Sequence, residues 1–484
     1  MFLFLKNSFF LQKNDLRSSF IQILIEKNML VNFSCENILS FKQEISFSMI
    51  ASQKKKDNIL IDNYFMAGKE QQEPLLETSL IFGANGSGKT NFIATFAYLK
   101  RIILNQNPED RFIAPFSLDK ENLKKPSELE VEFYAKNDIK YRYGVSIFKG
   151  DILEEWLYYT PSNRETILFH RENNTIIEHN TTGFIEAKDF INNDKTLSKK
   201  LKSDTSFIFL LSTFNGEHSN AISEWFSKIV VLDIEDKKSK LKDTLYLWKD
   251  DKDFKSWATS ILNSLNICDL RFDHKVESVE DIVKQIKKDQ EKLKNSSEKN
   301  KQLKDKAINL FDNLLDFVSS STIENKEDID FDSVKVIKNV DGEDFSLPLR
   351  LESSGTIKLI HLLSALYKSS KNGEILLIDE FDIKFHTLLS KYIFKKYHEI
   401  NNKGQVIVTV HDTNLMDTNY FRRDQIWLIN KTAKGESQLY SLIEFKELAS
   451  NINNKNYSTE YLTGFFNAIP LFEDSDVAGL MEDN

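Results

Sequence analysis

The eight residues GANGSGKT, from Gly83 to Thr90, constrain the fold of this chain more than any other stretch. They match the P-loop pattern G-x-x-x-x-G-K-[ST] in full. The apolar run Ser79 to Phe82 in front of them predicts a buried strand, and the apolar positions between Asn91 and Leu104 have helical spacing. A strand, a glycine-rich loop and a helix in this order predict a phosphate-binding site.

The chemistry of this loop follows from its residue types. Glycines let the backbone fold so that successive N–H groups point at phosphate oxygens, and the helix N-terminus adds a partial positive charge. Lys89 is predicted to reach the β- and γ-phosphates of a bound nucleotide, and the Thr90 hydroxyl to bind Mg²⁺. The predicted phosphate-binding residues are Gly83, Ala84, Asn85, Gly86, Ser87, Gly88, Lys89, Thr90 and Asn91.

A second motif, EILLIDEFD, supplies candidate carboxylates about 290 residues further along the chain. Its four apolar residues, Ile375 to Ile378, predict a buried parallel strand. Asp379 follows that strand directly and is predicted to hold Mg²⁺ in the manner of a Walker B aspartate. Glu380 is the next residue and is predicted to orient or deprotonate the attacking water.

Two further stretches lie near this motif. The apolar run Gln405 to Val410 predicts another strand, which ends at His411. The residues ESSGT, from Glu352 to Thr356, lead into a predicted helix, and a helix N-terminus binds phosphate well. The same residues also fit an ordinary helix cap, with Ser353 or Ser354 as the capping residue.

Together, GANGSGKT, ESSGT, LLIDEFD and HDTNL resemble the motifs of ABC-class ATPases of the RecF, SMC and OLD kind. More narrowly, the chain resembles the stand-alone bacterial group called AAA family fifteen, from about Met29 to Leu471. Members of that group are associated with bacterial anti-phage and abortive-infection systems. The resemblance implies an α/β fold: an ABC-type P-loop NTPase head with an antiparallel β-subdomain and a mostly helical insert.

The resemblance also implies roles for the remaining residues. His411 lies where ABC-class ATPases have a switch histidine, which contacts the γ-phosphate or the lytic water, so the implied catalytic residues are Glu380, His411 and Lys89. Ser353, Ser354 and Gly355 lie where these ATPases have a signature that closes on the nucleotide of the opposite subunit. One P-loop and one signature in the chain imply a homodimer or a larger ring with composite ATP sites. An effector partner, such as a nuclease or a toxin encoded nearby, is implied as well.

Composition leaves one alternative function open. The net charge of −9 and the pI of about 5.6 argue against a surface that is basic throughout, but not against a local basic groove. A RecF-like ATPase of DNA repair or recombination, acting on DNA, is therefore the alternative.

No apolar run reaches the length of a membrane span, and two cysteines without ligand spacing favour the reducing cytosol.

The pattern along the chain predicts five segments. Polar residues 52–74 are predicted to form a loop. The sequence assigns no role to Arg422 and Arg423. The expected segments are an extension outside the domain (1–28), a first ATPase lobe with the P-loop and the antiparallel β-subdomain (29–183), a mainly helical insert (184–323), a second lobe with the signature, Walker B motif and switch histidine (324–471), and an acidic, disordered tail (472–484).

Overall fold

The structure is a computed structural model, and it describes part of the chain. The described residues are 28–52, 63–69, 73–106, 112–162, 164–191, 201–232, 237–272, 274–277, 287, 290–291, 326–329, 331–400, 404–445 and 457–468. The predicted extension, residues 1–28, lies outside these ranges except for Asn28, and the predicted tail, residues 472–484, lies wholly outside them. The chain divides into two compact units, the first formed by residues 1–237 and 362–484 and the second by residues 238–361.

The regular elements of the described residues are numbered along the chain. The strands are β1 Met29–Glu36, β2 Ile45–Ser48, β3 Tyr64–Ala67, β4 Glu73–Leu76, β5 Thr78–Gly83, β6 Ser127–Ala135, β7 Ile139–Phe148, β8 Asp151–Thr160, β9 Thr166–Glu172, β10 Thr175–His179, β11 Ile229–Leu232, β12 Ile267–Arg271, β13 His274–Glu277, β14 Lys326–Ile329, β15 Lys335–Val340, β16 Glu343–Pro348, β17 Ile375–Ile378, β18 Gln405–Val410, β19 Ile426–Lys431 and β20 Ser437–Ser441. The helices are α1 Lys89–Ile103, α2 Lys188–Ile191, α3 Phe207–Thr213, α4 Glu217–Ser227, α5 Lys237–Asp250, α6 Lys252–Leu262, α7 Ser354–Asn372, α8 Thr387–His398 and α9 Tyr457–Leu462.

A six-stranded sheet in the first unit brings the predicted motifs to one edge. Its strand order is β11-β17-β18-β5-β19-β20, and every pair is parallel except β19 and β20. Strands β5, β17 and β18 are buried along their whole length, as continuous apolar runs in a parallel sheet usually are. Parallel strands end at the same edge of a sheet, so Gly83, Asp379 and His411 lie at neighbouring strand ends.

A seven-stranded antiparallel sheet, with strand order β10-β9-β8-β7-β6-β1-β2, forms the predicted β-subdomain. One hydrophobic core contains side chains of this sheet, of α1 and of the parallel sheet. Where β1 meets α1, the ring centroids of Phe33 and Phe96 are 4.3 Å apart, and those of Phe33 and Phe92 are 5.8 Å apart. The predicted α/β fold class with an antiparallel β-subdomain is confirmed.

Two segments differ from the sequence prediction. Residues 52–74, predicted as a loop, contain β3 and the start of β4, which pair as an antiparallel hairpin. This hairpin forms because Ala67 and Leu75 are buried in a small core with Met29 and Val31 of β1.

Strand β11 lies in the stretch predicted to be mainly helical and pairs with β17. Its four apolar residues follow α4 almost directly, and periodicity alone does not separate such a short run from a helix.

The second unit combines helices with small sheets. It contains the three-stranded sheet β12-β15-β16 and the hairpin of β13 and β14. The unit covers residues 238–361, whereas the sequence predicts an insert over residues 184–323. The difference at the start has a physical cause, because Trp225 of α4 stacks on Phe133 of the antiparallel sheet with a centroid distance of 4.0 Å. No helix of the described residues is long and apolar enough to cross a membrane.

A fully buried ion pair joins the antiparallel sheet to α3. Arg171 of β9 donates to Glu155 of β8 over 3.1 Å, and neither side chain is exposed to solvent. The Glu155 carboxylate also accepts the backbone N–H of Phe207 at the start of α3 and the Tyr143 hydroxyl, at 2.8 and 2.9 Å. Arg171 donates further to the carbonyl oxygen of Thr205 at 2.8 Å. Each charge is therefore paired and hydrogen-bonded, as burial requires.

Removing only one member of this pair should destabilise the protein strongly. We expect Arg171→Met to lower the free energy of unfolding by about 3–5 kcal/mol, since an unpaired carboxylate is left in the core. The double variant Glu155→Gln, Arg171→Met should recover part of this loss, because the introduced glutamine amide keeps an oxygen to accept the N–H of Phe207 without a buried charge. Urea unfolding followed by tryptophan fluorescence measures both; a double variant less stable than Arg171→Met would contradict the argument.

Candidate nucleotide-binding site

The loop between β5 and α1 has the backbone that the P-loop motif requires. Gly86 and Gly88 have φ values of +74° and +118°, which L-residues with a side chain rarely adopt. At Gly83 a Cβ atom would lie 2.5 Å from the carbonyl oxygen of Ile429 and from Ser87 Oγ, so only glycine fits between the strand and its neighbour. Helix α1 begins at Lys89, directly after the loop.

Lys89 is held inside this loop. Its side chain is buried, and Nζ donates to the carbonyl oxygens of Gly83 at 2.6 Å and of Ala84 at 3.1 Å. Burial lowers the pKa of Lys89 below its ordinary value, and the carboxylates of Asp379 and Glu380 partly oppose that effect. A buried ammonium group enclosed by a glycine-rich loop at a helix N-terminus is an arrangement suited to a phosphate anion.

Thr90 and Asp379 meet at the mouth of the loop. The Thr90 hydroxyl donates to Asp379 Oδ2 over 2.7 Å, although the two residues are 289 positions apart. A hydroxyl and a carboxylate oxygen are hard donors of the kind that Mg²⁺ prefers, and Mg²⁺ in nucleotide sites takes its other ligands from phosphates and water. The described residues contain no group of three or more His, Cys, Asp or Glu that could hold a metal ion without such ligands. The pair therefore fits a magnesium ion that arrives with a nucleotide.

Glu380 and His411 line the same cleft as the P-loop. The cleft is bounded by the residues Ala84, Asn85, Gly86, Gly88, Lys89, Thr90, Asn91, Glu380 and His411. Glu380 is exposed and has a φ of +51°, an unusual backbone conformation for a residue other than glycine. The structure thus brings most of the predicted P-loop residues, Glu380 and His411 to one cleft, which Asp379 joins through its hydrogen bond from Thr90.

Asp382 holds the segment that carries His411, a role that the sequence analysis missed. Its side chain is only 7% exposed, and Oδ2 accepts the backbone N–H groups of His411 and Asp412 at 2.8 and 2.5 Å. The available signal was the second aspartate of LLIDEFD, which lies two residues after Glu380. A contact between residues 29 positions apart could not be located from that motif alone.

Two serines, Ser437 and Ser40, brace the P-loop and the start of α1, and both were also missed. Ser437 of β20 donates its hydroxyl to the carbonyl oxygen of Ser87 over 2.5 Å, and its backbone N–H donates to the carbonyl oxygen of Ser40 over 2.7 Å. The Asn91 side chain donates to Ser40 Oγ over 2.8 Å. Ser40 lies between β1 and β2, so both large sheets of the first unit contribute to the loop's position.

The residues of the predicted signature are not among those that bound this cleft. Ser353 and Ser354 are exposed, and with Gly355 they belong to the second unit. The Ser353 hydroxyl accepts the backbone N–H of Thr356 over 3.1 Å, at the start of the 19-residue helix α7. Ser353 therefore caps this helix, which is the plainer of the two sequence interpretations, while Ser354 and Gly355 lie in its first turn.

Arg422 and Arg423 are buried and have structural contacts. Arg422 forms two hydrogen bonds with Asp424, at 2.9 and 2.7 Å, and donates to the carbonyl oxygen of Ser52 over 2.8 Å. Arg423 donates to the carbonyl oxygens of Leu442 and Phe445 at 3.0 and 2.9 Å. Both side chains thus join loops around β19 to their surroundings and lie away from the P-loop cleft.

The fold and the cleft define a P-loop nucleotide-binding protein. Residues 79–417 match the family described as "AAA domain, putative AbiEii toxin, Type IV TA system". The match covers well over half of the chain, and the chain belongs to this family. This assignment confirms the AAA class that the sequence motifs predict.

Solved structures of SMC heads are similar to this chain at low sequence identity. The Smc head domain of Pyrococcus furiosus with an extended coiled coil, bound to the C-terminal domain of ScpA, is 11% identical; the alignment covers 88% of this chain and 100% of that chain with a TM-score of 0.37. The SMC head domain from Thermotoga maritima is 11% identical, with 85% and 98% covered and a TM-score of 0.36. No curated protein matches the chain.

The two glycines of the P-loop with positive φ should respond differently to substitution. Gly86→Ala incurs only the cost of a left-handed backbone, roughly 1–2 kcal/mol, because no atom lies within 4 Å of the added Cβ. In Gly88→Ala the added Cβ would lie 2.5 Å from Ser437 Oγ, and that hydroxyl is already bonded to Ser87. Overpacking therefore adds roughly 1–3 kcal/mol to the cost of keeping the loop in its observed conformation. We expect Gly88→Ala to bind a fluorescent ATP analogue more weakly than Gly86→Ala. Equal affinities would show that Ser437 does not brace the loop.

Proposed function

We propose that the protein binds ATP with Mg²⁺ in the cleft between the P-loop and the Walker B segment and hydrolyses it. The observation that carries this proposal is the convergence of Lys89, Thr90, Asp379, Glu380 and His411 at one edge of the parallel sheet. Membership of an AAA family supports the same reaction class.

Each residue of the cleft has a task in this reaction. The P-loop amides and the Lys89 ammonium group bind the β- and γ-phosphates, while Thr90 and Asp379 would hold the magnesium ion. Bound magnesium would neutralise charge on the phosphate oxygens. Glu380 orients the attacking water and accepts its proton as the new bond to the γ-phosphorus forms and the bond to the bridging oxygen breaks. His411 donates a hydrogen bond to the γ-phosphate or to the water.

We further infer that hydrolysis serves as a switch in a bacterial anti-phage system and controls a partner effector, such as a nuclease or a toxin. This setting is supported by the family description, which names a putative toxin and a type IV TA system, and by the resemblance of the motifs to anti-phage ATPases. In this proposal two heads close on ATP, each P-loop facing the Ser353–Gly355 segment of the other chain, and hydrolysis releases them.

Substitution of Glu380 tests the hydrolysis step. Glu380→Gln should bind ATP with nearly unchanged affinity, since Asp379, Thr90 and Lys89 are intact, but its kcat should fall by roughly 10²–10⁴-fold because a general base is lost. Phosphate release measures turnover, and titration with a fluorescent ATP analogue measures binding. Turnover at the wild-type rate by purified Glu380→Gln would refute the assignment of the base.

Mixing two inactive variants tests the composite site. Lys89→Ala removes the phosphate-binding ammonium but keeps the signature segment, whereas Gly355→Glu places a carboxylate in that segment but keeps the P-loop. Each variant alone should be nearly inactive, and mixtures should recover activity because half of the sites in a mixed dimer contain no altered residue. The ATPase rate is measured against mixing ratio after subunit exchange, which mass spectrometry of isotope-labelled chains verifies. A flat baseline despite verified exchange would mean that each chain works without the other's signature.

A further inference from the structure

Thr409 connects the two carboxylate residues of the cleft. It is fully buried near the end of β18, beside β17 on one side and β5 on the other. Its hydroxyl donates to Asp379 Oδ1 and accepts the backbone N–H of Glu380 over 2.8 Å. Its carbonyl oxygen accepts the backbone N–H of Phe381 over 3.0 Å. One threonine therefore contacts three consecutive residues that follow β17.

These contacts coincide with the unusual backbone of Glu380. A left-handed conformation costs a residue with a side chain roughly 1–2 kcal/mol, so it persists only where the surroundings impose it. At Glu380 the φ is +51°. The hydrogen bond from its N–H to the Thr409 hydroxyl fixes the peptide group between Asp379 and Glu380. The direction in which the Glu380 side chain leaves the backbone thus depends on the Thr409 hydroxyl.

The same hydroxyl also orients the carboxylate that would hold the metal. Asp379 Oδ1 accepts from Thr409, so Oδ2 is the oxygen that faces Thr90, at 2.7 Å. A continuous chain of hydrogen bonds therefore runs from Thr90 through Asp379 and Thr409 to the backbone of Glu380. A threonine hydroxyl can both donate one bond and accept another, and valine has the same shape without either capacity.

We propose that Thr409 is a positioning residue for ATP hydrolysis, which sets the direction of Glu380 and the orientation of Asp379 through its hydroxyl group. This inference rests on the proposed ATPase function. Thr409 is buried beneath the carboxylates and acts only through them. Loss of the hydroxyl should therefore affect turnover more than nucleotide binding.

The test compares three threonine variants in the full chain. Thr409→Val removes the hydroxyl and keeps the shape; its kcat should fall roughly 10- to 100-fold, as misplacement of a catalytic group by about 1 Å typically causes. Its KM and its affinity for a fluorescent ATP analogue should stay within about 3-fold, because the P-loop is intact and Asp379 keeps its hydrogen bond from Thr90. Loss of an interaction that is made only in the transition state lowers kcat without weakening binding. Thr409→Ser retains the hydroxyl and should restore most of the rate.

Thr95→Val is the matched control. Thr95 is equally buried, and its hydroxyl donates to the carbonyl oxygen of Phe92 within α1, away from the carboxylates. It should keep the wild-type kcat although it loses the same hydroxyl group. Circular dichroism and thermal unfolding establish that each variant is folded before its rate is interpreted.

Each outcome decides the proposal. Three results together support it: Thr409→Val turns over slowly but binds nucleotide normally, Thr409→Ser restores the rate, and Thr95→Val keeps the wild-type kcat. A wild-type rate for Thr409→Val overturns it, and so does a folded Thr409→Ser that is as slow as Thr409→Val, since packing would then be the cause. The proposed function fails separately, when the wild-type protein releases no phosphate or Glu380→Gln is as fast as wild type.

Discussion

The parallel pairing of β17, β18 and β5 is the interaction on which the cleft depends. Ile378 pairs with Val408, and Val408 pairs with Leu80, so three strands from distant parts of the sequence share one register. This register places Asp379 beside Thr409 and brings the P-loop to the same sheet edge. Because side chains alternate between the two faces of a strand, a slip of one residue would turn Thr409 away from the carboxylates.

The P-loop in turn depends on contacts that neither its own strand nor its own helix supplies. Ser437 belongs to the six-stranded sheet and contacts Ser87 of the loop. Ser40 follows the first strand of the antiparallel sheet and contacts Asn91 at the start of α1, and the two serines are hydrogen-bonded to each other. The predicted phosphate-binding residues thus lie where the two sheets meet. Support from both sheets favours a preformed loop, so that little conformational entropy would be lost on binding of a phosphate.

The sequence predicts the motifs of this site better than it predicts the long-range contacts that hold them together. The P-loop, the strand before Asp379 and the start of α7 were predictable because each depends on residues close together in the chain. Thr409, Asp382 and Ser437 were not, because their hydrogen bonds to Glu380, His411 and Ser87 span 29 to 350 positions and depend on strand order. The predicted insert and the second unit start at different residues for a similar reason, since long-range aromatic packing joins α4 to the antiparallel sheet.

Under the proposed function, the left-handed backbone of Glu380 is a conflict between folding and chemistry at one position. Glycine or asparagine would adopt this conformation at lower cost, so the chain carries a residue there that is not the best for its stability. Natural proteins often retain such costs where a side chain is needed for activity. A selection for thermostability alone would therefore tend to replace Glu380, and the resulting protein would be more stable and would lack the carboxylate that faces the P-loop cleft.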